Sequence, residues 1–214
     1  MTTPASLRLI AAVPDGDEAA ARLALADGAD PNAVSRVGPS DQPVLARAAR
    51  DGRLGIVRLL LRAGARVAPP NPYQASALRS AVLRWHADVA RLLIDHGALT
   101  AEPAGRRMSV LTEALQFVAF QPGPAGLATL RVLLQAGAVS HPEEEAPLVS
   151  AIMRRVAPAV LRLLLAHGAD ADQLRSDAAP AIVVAARRGD HAAVDVLLAA
   201  GPMWRPATGS DAPP

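Results

Sequence analysis

The chain has no cysteine, no lysine and few aromatic residues, 2% of 214. Without cysteine there is neither a disulfide framework nor a thiolate metal site, which fits a cytoplasmic protein. Without lysine all 22 cationic side chains are Arg, so a formal net charge of only +2 still gives a pI near 10.2. Arg does not titrate below about pH 12, and a small excess of it drives the pI very high. The pI is therefore no sign of a nucleic-acid partner. A core nearly free of aromatics has to be assembled from Ala, Leu, Val and Ile, which suits closely packed helices better than aromatic-rich strands.

Long apolar runs are also missing, since no stretch approaches the roughly 18 to 20 residues of a membrane span. The opening "MTTPASLRLIAAVPDGDEAA" has only a brief apolar run before Pro14, Asp15 and Asp17, too short for the core of a signal peptide. A soluble, intracellular chain is expected. GxSxG, phosphate-loop and HExxH signatures are absent, so no catalytic residues, cofactor or metal are assigned and the chain is not read as an enzyme.

What the chain does have is a repeated phrase: "RLLLRAGARV", "RLLIDHGALT", "RVLLQAGAVS" and "RLLLAHGADA". The glycine of the phrase falls at Gly28, Gly64, Gly97, Gly137, Gly168 and Gly201, in steps of 36, 33, 40, 31 and 33 residues. Such a period marks stacked supersecondary units. Upstream of each glycine a marker Leu or Ile (Leu9, Leu45, Leu78, Leu111, Leu148, Ile182) is followed three residues later by Ala, placing both on one helix face. In the second part apolar residues recur at helical spacing, as in Ile56, Leu59 and Leu60, and the run stops at a glycine able to adopt the left-handed conformation that ends a helix. Each unit is thus predicted to be two short antiparallel helices that need neighbours to bury both faces. Segments such as "ADPNAVSRVGPSD" and "ARVAPPNPYQ" supply turn chemistry between units.

These units resemble ankyrin repeats, whose pattern is a "TPLHxAA" first helix, a "GH.EIVKLLL" second helix and a "GADVNA" lead into a hairpin. The nearest phrases here are "GDHAAVDVLLAAG", "GRLGIVRLLLRAGA" and "DGADPNA". The resemblance implies an all-α solenoid of about six helix-turn-helix units over residues 1-205, at about 5-35, 41-70, 74-105, 107-143, 144-176 and 178-205, followed by a disordered tail at 206-214. The His of "TPLH" is replaced by Ala46, Arg79, Thr112, Val149 and Val183 from the second unit onward, which removes the hydrogen bonds it usually lends to the turn. The fourth unit has 23 residues between Ala114 and Gly137 where the others have about 16, and the excess around "FQPGPAG" is read as a loop bulging from the edge opposite the hairpins.

Histidine is the first candidate for a ligand or catalyst. His96 and His167 directly precede a helix-ending glycine, where a partly protonated ring favours the helix C-terminus, and His191 is read at the family's "GH" position. His141 in "SHPEEEAP" lies near Glu143, Glu144 and Glu145, but consecutive carboxylates do not converge on an ion, and a solvated acidic loop is the better reading. Trp85 is read as a filler between repeats in preference to an exposed anchor, and Trp204 as a cover for the last repeat.

In the family the concave face, formed by hairpin tips and the exposed side of the first helices, is the usual partner surface. Five and six residues after each marker, that register yields Arg50 and Asp51, Leu83 and Arg84, Gln116 and Phe117, Met153 and Arg154, then Arg187 and Arg188. The hairpins add Tyr73, Arg106 and Glu143. Such a row of Arg interrupted by Phe and Met suits a protein partner with an acidic segment, held by bidentate guanidinium contacts and apolar anchors. The expected function is a monomeric protein-binding scaffold or regulator. A dedicated inhibitor of the immunity type is the alternative, and a nucleic-acid binder ranks lower because aromatic stacking platforms in series are missing.

Overall fold

The computed structural model describes residues 3–35, 42–68, 76–100, 108–141, 144–171 and 179–200. Within them run six helix pairs: α1 (Pro4–Asp15) with α2 (Glu18–Ala26), α3 (Val44–Arg50) with α4 (Leu54–Arg62), and α5 (Ala77–Val82) with α6 (Ala87–Asp95). There follow α7 (Val110–Phe120) with α8 (Pro124–Gln135), α9 (Pro147–Met153) with α10 (Pro158–Ala166), and α11 (Ala181–Arg187) with α12 (His191–Ala199). A short antiparallel ladder joins β1 (Val34–Ser35) to β2 (Gln42–Pro43), with Val34 opposite Pro43 and Ser35 opposite Gln42. No helix is long and apolar enough to cross a membrane among the described residues.

The first helices of the pairs pack side by side in chain order, and so do the second helices, giving two parallel rows. One edge of the stack carries the segments between units, here called the hairpin edge. The opposite, turn edge carries the tight connection inside each pair.

The marker residues explain the stacking. Ala12, Ala48, Ala81, Ala114, Ala151 and Ala185 are all buried and let neighbouring first helices approach closely. Leu60, Leu93, Leu133, Leu164 and Leu197 occupy one register position of successive second helices and are at most 1% exposed. Each such burial contributes about 2 kcal/mol. The second helices end where expected, at Gly28, Gly64, Gly97, Gly137 and Gly168, all with positive φ.

The fourth pair departs from the expected loop insertion. Its additional residues are helical: α7 has 11 residues where α3, α9 and α11 have 7, and α8 has 12 where most second helices have 9. Pro122 does fall outside the helices, but Pro124 takes the first helical position, where its missing N–H costs nothing. The extension therefore stands out from the turn edge as a rigid hairpin, on the side the sequence indicated but in a different conformation.

Candidate functional site

At the hairpin edge, polar side chains join one repeat to the next. Ser76 and Ser109 cap α5 and α7, each accepting from a backbone N–H three residues on. Asn32 Oδ1 accepts from the Arg66 N–H at 2.8 Å, linking the first two repeats. Arg79, buried at the position of the missing family His, donates to Glu113 Oε2 at 2.5 Å and to the Met108 carbonyl at 2.7 Å in the next repeat.

One repeat further on, Glu144 accepts from the Ser109 N–H at 2.7 Å, the Thr112 hydroxyl at 3.0 Å and the His141 N–H at 2.8 Å. Burial works to raise its pKa, but these bonds from Ser109, His141 and Thr112 outweigh it and hold the carboxyl below its ordinary value. Arg79 and Thr112 thus make side-chain hydrogen bonds to the next repeat from the register position where the pattern has His. Glu144 is a tie between repeats rather than part of a solvated acidic loop. Ala46 and Val149, at the same register position, are simply buried.

At the turn edge most of the predicted row falls on the last residue or C-cap of the first helices. Arg50 ends α3 and Asp51 caps it; Leu83 caps α5 and Arg84 follows. Met153 ends α9 and Arg154 caps it, and Arg187 ends α11 with Arg188 as its cap. Gln116 and Phe117 lie inside the lengthened α7, Phe117 at 37% exposure. Tyr73, Arg106 and Glu143, like Trp204 and the 206-214 tail, lie outside the described residues.

These side chains are not equivalent. Asp51 is held by Arg47 at 2.5 Å and by Arg50 at 3.4 Å; burial raises its pKa, but the two guanidiniums bring it below the ordinary value. Arg188 donates to the Met153 carbonyl at 3.0 Å. Met153 is half-buried and packs against the core. The side chains of Arg84, Arg154 and Arg187 make no hydrogen bond or ion pair within the described residues, and Arg84 and Arg187 are exposed.

The turns themselves carry a second set of ties, which the sequence did not disclose. Arg53 donates to the Pro14 carbonyl at 2.6 Å, His86 Nε2 to the Arg50 carbonyl at 3.1 Å and Arg155 to the Arg188 carbonyl at 2.8 Å. Arg53, His86 and Asp190 are the residues immediately before α4, α6 and α12, so Asp190 takes the equivalent place and His191 comes one residue later, exposed, contrary to the sequence assignment. His96 and His167 do serve their helix ends, donating from Nδ1 to the Leu92 and Leu163 carbonyls at 2.8 and 2.9 Å.

One turn position is left-handed in five repeats. Gly16, Gly52 and Gly189 fill it in the first, second and sixth, but Trp85 (φ 61°) and Arg155 (φ 53°) fill it in the third and fifth. A bulky residue there costs on the order of 1–3 kcal/mol. Trp85 is half-buried against the core, as expected of a filler, and lies beside Gly126 of α8, where a Cβ would come 3.6 Å from the indole. Its indole N–H is buried without a hydrogen-bond partner among the described residues. Trp85 therefore buttresses one side of the extended fourth hairpin.

Comparison with known proteins agrees with this architecture. The family model for ankyrin repeats, in three copies, matches residues 9–102. No curated protein matches the chain. Among solved structures it is similar to the human ASB11 ankyrin repeat domain, at 24% identity and TM-score 0.69, over 93% of this chain and 84% of that one. It is likewise similar to an ankyrin repeat domain (ABAYE2397) from Acinetobacter baumannii AYE, at 22% identity and TM-score 0.69, over 90% and 97% of the two chains. A chain in the complex of the Bd0816 predatory endopeptidase from Bdellovibrio bacteriovorus with immunity protein Bd3460 gives 24% identity and TM-score 0.62, over 93% and 99%.

Proposed function

We propose that this chain of ankyrin repeats is a non-catalytic module that binds a protein partner bearing an acidic segment. Ankyrin repeats are protein-protein interaction modules, and the partner class follows from one observation. Arg84, Arg154 and Arg187 stand at or just past the ends of the first helices of the third, fifth and sixth repeats with no side-chain partner among the described residues, while neighbouring Arg50 and Arg188 are engaged internally. Free guanidiniums on three repeats match carboxylates spaced along a partner chain, each in bidentate geometry. Phe117, between Arg84 and Arg154 in repeat order and 37% exposed, offers an apolar contact.

The test is affinity capture from the native cell's lysate with the wild-type chain and an Arg84→Glu/Arg154→Glu variant, followed by mass spectrometry. A partner captured by the wild type and lost by the variant supports the reading; a partner retained by both removes the Arg row. A chain of similar fold occurs in a complex of an endopeptidase with its immunity protein, which keeps a dedicated inhibitor as the second reading. One tight, stoichiometric partner favours the inhibitor, and several weaker ones favour a scaffold or regulator.

A further inference from the structure

The extended fourth hairpin has two unlike flanks. On one side Trp85 closes it against the third repeat. On the other, between it and the start of α10, lies an open cleft of about 200 Å³, lined by Val118, Pro122, Pro124, Leu127, Ala157 and Val160 among others. Every lining side chain is apolar, and none can donate or accept a hydrogen bond. The volume is below the roughly 300–1,000 Å³ of sites that enclose a whole small molecule, so it suits one or two protruding side chains. On the same hairpin, outside the cleft lining, Phe117 and Phe120 share a face of α7 at i, i+3 spacing, and Phe120 is 77% exposed.

Charge around this hairpin is one-sided. The turn of the first repeat is acidic, with Asp15, Asp17 and Glu18. From the third repeat to the sixth, the turn edge carries Arg84, Arg154, Arg155, Arg187 and Arg188 against two carboxylates, Asp88, exposed in the first turn of α6, and Asp190, which is committed to the Ala193 N–H at 3.0 Å. Arg155 lies two residues before Ala157 of the cleft lining and is exposed. An uncharged apolar cleft within a cationic edge complements an amphipathic segment whose apolar side chains enter the cleft and whose carboxylates face the arginines.

We propose that the fourth hairpin is a docking platform for an acidic amphipathic helix of a protein partner, with the cleft beside α10 as its apolar anchor site. This rests on the protein-binding reading above but moves the principal anchor from the Arg row to the projecting fourth hairpin and the cleft beside it. The asymmetry of the two flanks supports it: the Trp85 side is filled despite a left-handed backbone and an unpartnered indole N–H, whereas the opposite side is left unfilled.

A displayed library of random 16-residue peptides, selected on the full chain, tests the idea. Selected peptides are expected to combine apolar residues at i, i+3, i+4 spacing with an excess of Asp and Glu. Their affinity, read by fluorescence anisotropy, should fall at least tenfold in Ala159→Asp and in Phe120→Ser, and severalfold in Arg155→Glu. Ala159 is an exposed cleft residue at the second position of α10, where a carboxylate is favoured by the helix N-terminus, so the variant should melt like the wild type.

Peptides weakened by Arg84→Glu/Arg187→Glu yet indifferent to Ala159→Asp would overturn the cleft while leaving the Arg-row reading intact. Peptides with the opposite dependence would support the cleft and overturn the row. Failure to select any peptide, or selection without acidic bias, overturns the platform. Concentration-dependent dimerisation abolished by Phe120→Ser would do the same, by assigning the surface to a second copy.

Discussion

The two edges of the stack use their polar residues in opposite ways. At the hairpin edge Asn32, Arg79, Ser109 and Glu144 all turn inward or to a neighbouring repeat, and their hydrogen bonds tie the units together. At the turn edge some groups are likewise spent, such as His86 on the Arg50 carbonyl, but Arg84, Arg154 and Arg187 are not. The same edge tolerates left-handed Trp85 and Arg155 and an exposed Phe120. One edge holds repeats together, and the other keeps cations and apolar surface available. Substitutions at the first should therefore act on stability, and those at the second mainly on binding.

The sharpest test of that division is Arg79→Ala. Arg79 is 7% exposed and its guanidinium joins α5 to Glu113 and to the Met108 carbonyl, so its removal leaves a half-buried carboxylate and a carbonyl without these donors. Losing one partner of a buried pair costs about 3 kcal/mol. Urea denaturation should show that loss, whereas Arg84→Ala at the turn edge should lie within about 0.5 kcal/mol of the wild type. Equal effects would erase the distinction between the edges.

Next in size comes Glu144→Gln, for which the expected loss at neutral pH is about 2 kcal/mol, because a carboxylate with three donors becomes an amide that cannot accept all of them. Its folded pKa lies below the ordinary value of 4.5, so the unfolded chain takes up this proton at a higher pH than the folded one. The stabilisation is then fully present above that ordinary value and is lost as pH falls through the folded pKa. Denaturation curves between pH 7 and pH 3 should converge for the wild type and Glu144→Gln at the acid end. A constant gap would assign the effect to packing instead of charge.

The sequence revealed the repeats because each repeated residue has a local cause: alanine for close approach, leucine for the shared core, glycine for the left-handed helix end. Those causes recur every 31 to 40 residues and survive without an alignment. The hairpin-edge ties were not legible, since Arg79 meets Glu113 and Glu144 meets Ser109 only after two units stack, 34 and 35 residues apart in the chain. The inserted residues in the fourth unit were read as a loop from Pro122 and Pro124, although Pro124 is as suited to starting a helix as to ending one. The arginine row was found by register. Which of its members are free depends on carbonyls and carboxylates of neighbouring turns, so the sequence could not divide Arg84 from Arg50.

The smallest expected effects concern the left-handed turn position, which sharpens the comparison within the turn edge itself. Gly52 and Gly189 have nearly the same φ, 69° and 65°, but a Cβ on Gly52 would come within 2.6 Å of the His86 ring, while one on Gly189 would meet nothing within 4 Å. Gly189→Ala should cost only the backbone penalty, about 1 kcal/mol, and Gly52→Ala about 2 kcal/mol because it also displaces the ring from the Arg50 carbonyl. The reverse change, Arg155→Gly, relieves the same penalty and loses only one exposed hydrogen bond, to the Arg188 carbonyl, so it should be neutral to stabilising by about 0.5 kcal/mol. If thermal melts instead show Arg155→Gly clearly destabilised, the bond across to the sixth repeat is structural, and Arg155 belongs with the residues that hold the stack rather than with those that face a partner.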